Sequence, residues 1–99
     1  MDITAKELIE RMDKKEKLNI LDVRETWEYE EQNIGATLIP LGEIADRVAE
    51  IEAWKEEEVI VHCRSGKRSA TAQKFLESQG FSNVRNLIGG ILQYNEDKQ

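Results

Sequence analysis

A chain of 99 residues with 20 acidic and 14 basic side chains, net charge −6, has room for one compact core and not for a second. Charged residues make up 34% of it, no apolar run is long enough to cross a membrane, and no basic-then-apolar start marks a secretory signal. One cytoplasmic globular domain over residues 1–99 is expected, and its single cysteine excludes an internal disulfide and a metal site built from clustered thiolates.

The first helical signal runs from Ile3 to Arg11. Thr4 and Glu7 have the spacing of a capping box, and Ile3 and Leu8 that of a hydrophobic staple. Leu8, Ile9 and Met12 supply the apolar stripe, which the charged run Lys14 to Lys17 interrupts. A very short first strand is placed near Asp2-Ile3. Asn19 to Val23 is the second strand, and its end carries Asp22 and Arg24. Ligands of open parallel sheets bind beyond the carboxyl ends of the strands. Asp22 is therefore expected to orient a neighbouring loop by accepting its hydrogen bonds, and Arg24 to pair with Glu28 one turn into the next helix. Both are expected as structural support.

Trp27, Tyr29 and Ile34 mark a short helix and turn before a third strand, Thr37 to Ile39, which Pro40 ends. From Glu43 to Ala53, Ile44, Val48 and Ile51 recur at i, i+4 and i+7, the pattern of an amphipathic helix whose end Trp54 anchors. Glu56, Glu57 and Glu58 form a solvated acidic turn. Val59, Ile60 and Val61 are consecutive β-branched residues and predict a strand buried on both faces. The helical pattern resumes at Lys67 and continues to Gln79, with Gly80 in the left-handed terminal position and Phe81 folding back on Leu76. Val84 to Leu87 is the fifth strand. Gly89-Gly90 then permits a close turn near the rim of the site, before a short helix from Ile91 to about Asn95. Strands separated by helices imply a three-layer α/β domain with a mainly parallel sheet.

Cys63 stands where the buried strand becomes a helix. In such a turn the backbone N–H groups converge on one spot and form an anion cradle. Helix N-termini and nearby cations lower a cysteine pKa below its free value of about 8.5, and the thiolate is the nucleophilic form. From Val59 to Leu76 there is no acidic residue, whereas Arg64, Lys67, Arg68 and Lys74 all fall inside. A local positive patch on an acidic chain suits a small anion and not nucleic acid, which calls for a broad basic face.

The run Cys63-Arg64-Ser65-Gly66-Lys67-Arg68-Ser69 resembles the active-site loop of rhodanese-type sulfurtransferases, Cys-Arg-x-Gly-x-Arg followed by a small residue. Leu21-Asp22-Val23-Arg24-Glu25 with Glu28-Tyr29, Ile39-Pro40-Leu41-Gly42-Glu43, and Asn86-Leu87-Ile88-Gly89-Gly90-Ile91 resemble other parts of the same family, in the same order. The resemblance implies a rhodanese-like domain with five strands in the order 3-2-4-5-1. It further implies a Cys63 persulfide formed from a donor such as thiosulfate and discharged to cyanide, a thiol or a protein acceptor, with no cofactor or metal. Arg64, Ser65, Gly66, Lys67, Arg68 and Ser69 would hold the donor, Arg68 foremost. Lys67 adds field, and Ser69 either donates to the sulfur or caps the helix. A monomer or weak dimer without membrane partners is expected. The chain departs from the family at Gln32-Asn33-Ile34-Gly35-Ala36, which is one residue short and lacks a histidine, and at Tyr94, where tryptophan is usual.

His62 is expected to point into the core. Cysteine phosphatases share a His-Cys start but need an arginine six residues after the cysteine. That position is Ser69, and the arginine stands one residue earlier. Arsenate reduction lacks a second, resolving cysteine. A binding module or sulfur carrier for a protein partner is the remaining alternative.

Overall fold

The computed structural model describes residues 1–99. Its elements are α1 (Ala5–Asp13), β1 (Ile20–Asp22), α2 (Thr26–Glu31), β2 (Thr37–Leu38), α3 (Ile44–Arg47), β3 (Glu58–His62), α4 (Lys67–Ser78), β4 (Asn83–Asn86) and α5 (Gly90–Lys98). All strand pairs are parallel, in the order β2-β1-β3-β4.

β3 carries the packing. Successive side chains of a strand face opposite sides of a sheet, so Val59 and Val61 enter one apolar cluster with Leu21, Ile44, Ala72 and Leu76. Ile60 enters another with Ile3, Leu8, Leu87 and Tyr94. α3 and α4 therefore cover one face and α1 and α5 the other, which gives the expected three layers.

The sheet has four strands where five were expected. The segment at Ile3 makes one parallel bridge to Leu87, with Ile3 N–H donating to Asn86 O (3.0 Å) and Ile88 N–H to Ile3 O (2.9 Å). Thr4 already serves as the N-cap of α1, its Oγ1 accepting from Glu7 N–H at 3.1 Å, so the strand has no second residue to pair. Glu7 completes no capping box, because its carboxylate accepts from Arg85 at 3.1 and 3.3 Å. With the bridge counted as a strand, the order is the expected 3-2-4-5-1.

Residues 43–53 are not one helix. 3-10 turns at Leu41–Glu43 and Val48–Trp54 flank the single turn of α3, and Ile51 leaves helical geometry at φ −116° and ψ 20°. Ile44 and Ile51 are still buried in the first cluster, with Val48 and Trp54 packed against it, so apolar spacing survives the kink. α4 ends as its sequence indicates: Gly80 has φ +94° and Phe81 N–H donates to Leu76 O at 3.1 Å. α5 runs past Asn95 to Lys98, held by Tyr94 against α1 and by Lys98 Nζ donating to Asp13 at 3.3 Å. The short Gln32–Ala36 loop closes on Asn33, whose Oδ1 accepts from Gly35 N–H at 2.9 Å. No helix is long and apolar enough to cross a membrane.

Gly90 opens α5 at φ +61°, and a Cβ there would lie 2.7 Å from the Cys63 carbonyl oxygen and closer still to that of Arg64. Strain and overlap with backbone together predict that Gly90→Ala lowers unfolding free energy by about 2–5 kcal/mol. Urea denaturation of the two proteins measures it, and equal midpoints would show that α5 can retreat from the loop without cost.

Candidate active site

β1, β3 and β4 end side by side, and their carboxyl ends bring Asp22, His62-Cys63 and Asn86 to one edge of the sheet. From β3 the chain turns through Arg64-Ser65-Gly66 into α4. Gly66 takes φ +111°, a conformation that a side chain resists, and this turns the following amides inward.

The Cys63 sulfur is the focus of that turn. Gly66 N–H donates to Sγ at 3.1 Å, Ser69 N–H at 3.4 Å, and Ser69 Oγ lies 3.3 Å away. Burial pushes the thiol pKa up. The Ser69 hydroxyl and the amides of Ser69, Gly66 and Ser65 outweigh it, and the result lies below the ordinary cysteine value. Gly66 is the N-cap of α4, so Ser69 does not cap the helix, and its hydroxyl lies between the sulfur and Asn86. The Cys63 residue is almost wholly shielded, while Arg64, Ser65 and Lys67 above it are exposed.

α5 holds the other side of the turn. Ile91 N–H donates to Cys63 O at 2.9 Å and Leu92 N–H to Arg64 O at 3.2 Å. Those carbonyls are thereby fixed away from the sulfur, and the amides keep their aim.

The support residues do not act as the sequence suggested. Asp22 accepts nothing from the Cys63 loop. It takes Arg24 N–H at 2.9 Å and the Arg24 guanidinium at 2.7–3.1 Å. Arg24 in turn donates to Gln32 O at 2.8 Å and to the backbone oxygen of Glu28, not to its carboxylate. The Glu28 carboxylate belongs to Arg68, at 2.7 and 3.0 Å, and accepts from Glu25 N–H at 2.9 Å. A contact between residues 40 apart is invisible to helical spacing, which pairs Glu28 with Arg24 instead. Arg68 is thus held by a carboxylate, whereas Arg64 and Lys67 are exposed and without one. His62 is buried as expected, with Nε2 3.6 Å from Asp22 Oδ2. Burial drives its pKa below the ordinary value, only partly opposed by Asp22.

Two site residues have partners that the sequence does not indicate. Asn86 bridges the loop, with Nδ2 donating to Gly66 O at 3.1 Å and Oδ1 accepting from Ser69 Oγ at 2.6 Å. Glu28 was singled out with the wrong partner. Beside the loop lies a cleft of about 200 Å³, lined by Arg24, Trp27, Glu31, Arg64 and Leu92 among others.

With this geometry in view, a comparison with family models matches residues 4–97 to the rhodanese-like domain. The chain belongs to the rhodanese-like domain family. A putative sulfurtransferase, YtwF of Bacillus subtilis, is 36% identical over 92 residues, covering 92% of this chain and 86% of that protein. The putative sulfur carrier protein YrkF of the same organism is 40% identical over 91 residues, and this chain spans 48% of its length. Among solved structures, a rhodanese-related protein from Thermoplasma volcanium superposes with a TM-score of 0.84 at 31% identity, over 97% of this chain and 91% of that one. The matched residues include the Cys63 loop and the whole sheet except Ile3, whose expected strand is reduced to a bridge.

The Glu28–Arg68 pair gives a pH prediction. The Arg68 hydrogen bonds hold the Glu28 carboxyl at about 2, against desolvation that would raise it. A depressed carboxylate stabilises the fold above its unfolded value of about 4.3. That stabilisation disappears as pH falls from there through about 2. Glu28→Gln is expected to lose about 1–2 kcal/mol at pH 7, discounted because Arg68 is partly solvated. The gap to the parent protein should close as the pH of the urea titration is lowered from 5 toward 2, and a gap independent of pH would assign the loss to packing.

Proposed function

We propose that this chain is a sulfurtransferase that carries sulfane sulfur on Cys63, from a small anionic donor such as thiosulfate to a thiophilic acceptor. One observation carries the proposal: amides of the loop converge on the sulfur of the chain's single cysteine, which has no second cysteine to pair with. Preorganised donors stabilise a thiolate before reaction and an anionic persulfide after it.

In the first half-reaction the Cys63 thiolate attacks the outer sulfur of thiosulfate. An S–S bond forms to Cys63, the S–S bond of thiosulfate breaks, and sulfite departs with the electron pair. In the second, cyanide or a thiolate attacks the terminal sulfur of the persulfide and Cys63 leaves again as thiolate. No general base is needed once the thiolate exists, so the buried, neutral His62 has no proton to move. Arg64 and Lys67 meet the donor's oxygens at the exposed mouth. Arg68, paired with Glu28, holds α4 to α2 and leaves the lead in donor binding to Arg64 and Lys67.

Phosphatase chemistry fits less well. The loop is one residue short of that pattern, and Ser69 stands at the place of the required arginine with its hydroxyl 3.3 Å from sulfur. The similarity to a named sulfur carrier favours a protein acceptor as the second substrate, in place of a small thiol.

Incubation with thiosulfate is expected to add the mass of about one sulfur atom to the chain and none to Cys63→Ala. Thiocyanate should form from thiosulfate and cyanide only with Cys63 present, with no phosphate released from a chromogenic phosphate ester by either protein. Phosphate release, or mass gained by the variant, would sink the assignment. Arg64→Ala should raise the thiosulfate KM by about 3- to 10-fold, the cost of one partly solvated charged contact. Arg68→Ala should raise it less, and the reverse order would restore Arg68 as the donor's first contact.

A further inference from the structure

We propose that Asn86 is a positioning residue for the sulfur: it competes with Cys63 for the single proton of the Ser69 hydroxyl. The Gly66 carbonyl can only accept, so Nδ2 of Asn86 must face it at 3.1 Å, and Oδ1 is left facing Ser69 Oγ at 2.6 Å. Oδ1 can only accept, so that short contact requires the Ser69 proton. Sγ lies 3.3 Å from the same oxygen. Asn86 and Ser69 are both buried, and the two acceptors lie on either side of the same hydroxyl.

Two arrangements follow, with different partners satisfied. In the thiol form S–H donates to Ser69 Oγ, Ser69 O–H donates to Asn86 Oδ1, and every group is paired. When the thiol proton leaves to solvent, the Ser69 hydroxyl rotates toward the anionic sulfur while keeping its proton, and Asn86 Oδ1 is left buried without a donor. A buried acceptor that loses its donor costs free energy, so Asn86 favours the thiol and restrains the ionisation that the loop amides promote. The remaining groups around Cys63 do not share that proton. Arg68 on α4 is paired with Glu28 on α2, His62 on β3 is neutral and faces Asp22, and Asp22 on β1 is paired with Arg24. From α5 the Ile91 and Leu92 N–H groups bind the Cys63 and Arg64 carbonyls.

The test is the pH dependence of iodoacetamide alkylation of the single cysteine. It rests on Cys63 being ionisable and not on sulfur transfer, so its failure is distinct from failure of the transferase assignment. Asn86→Ala should lower the midpoint by about half a unit to one unit, the worth of one net hydrogen bond. Ser69→Ala should raise it, and in the Ser69→Ala background Asn86→Ala should no longer shift it. If Asn86→Ala does not fold by circular dichroism, Asn86→Leu keeps the volume and removes the acceptor. Its midpoint should fall, and should not shift when Ser69 is absent. An unchanged midpoint, or a shift of equal size in both backgrounds, would overturn the proposal and leave Asn86 as a tether of the Gly66 carbonyl alone.

Discussion

The aim of a few N–H groups at one sulfur atom is the constraint on which the rest of this structure depends. Gly66 N–H at 3.1 Å and Ser69 N–H at 3.4 Å reach Sγ only because β3 ends at His62 and α4 begins at Lys67, four residues that allow no slack. Gly66 can supply the turn because it lacks a side chain, and α5 can press on the loop because Gly90 does. The α5 amides take up the Cys63 and Arg64 carbonyls that would otherwise compete for space around the sulfur. A thiol buried among Leu21, Val61 and Ala72 would ordinarily stay protonated. Here hydrogen bonding outweighs desolvation.

Charge is organised around the same point by pairing. Asp22 with Arg24 ties the end of β1 to the backbone that leaves α2, and Glu28 with Arg68 ties α2 to the first turn of α4. Each pair removes a charge from competition while holding two elements at the sheet edge. Of the cations around the sulfur, Arg64 and Lys67 are left exposed and without a carboxylate, on a chain that is acidic overall. A small anion is therefore drawn to the loop.

Most of the architecture was legible because it follows from local patterns. Three β-branched residues in a row marked β3, Gly80 with Phe81 marked the end of α4, and a cysteine between them marked the site. The first strand, expected near Asp2-Ile3, is reduced to a bridge because two demands meet at Thr4, where helix capping and strand pairing need different geometry and the cap prevails. The helix over 43–53 failed because spacing of apolar residues does not distinguish one helix from two turns either side of a kink. The partners of Arg24, Glu28 and Arg68 failed for a different reason. Which guanidinium meets which carboxylate is decided by how α2 and α4 come together, and no spacing within either segment encodes it. Asn86 is the sharpest case, since only the return of β4 beside β3 brings it to Gly66 and Ser69.

The most direct measurement is the thiolate absorbance of the unmodified chain near 240 nm, followed against pH with Cys63→Ala as blank. A cradle of this geometry predicts a midpoint clearly below the free-cysteine value of about 8.5. A midpoint at or above that value would mean that burial prevails over the amides, and the sulfur would then be a buried thiol and not a nucleophile in waiting.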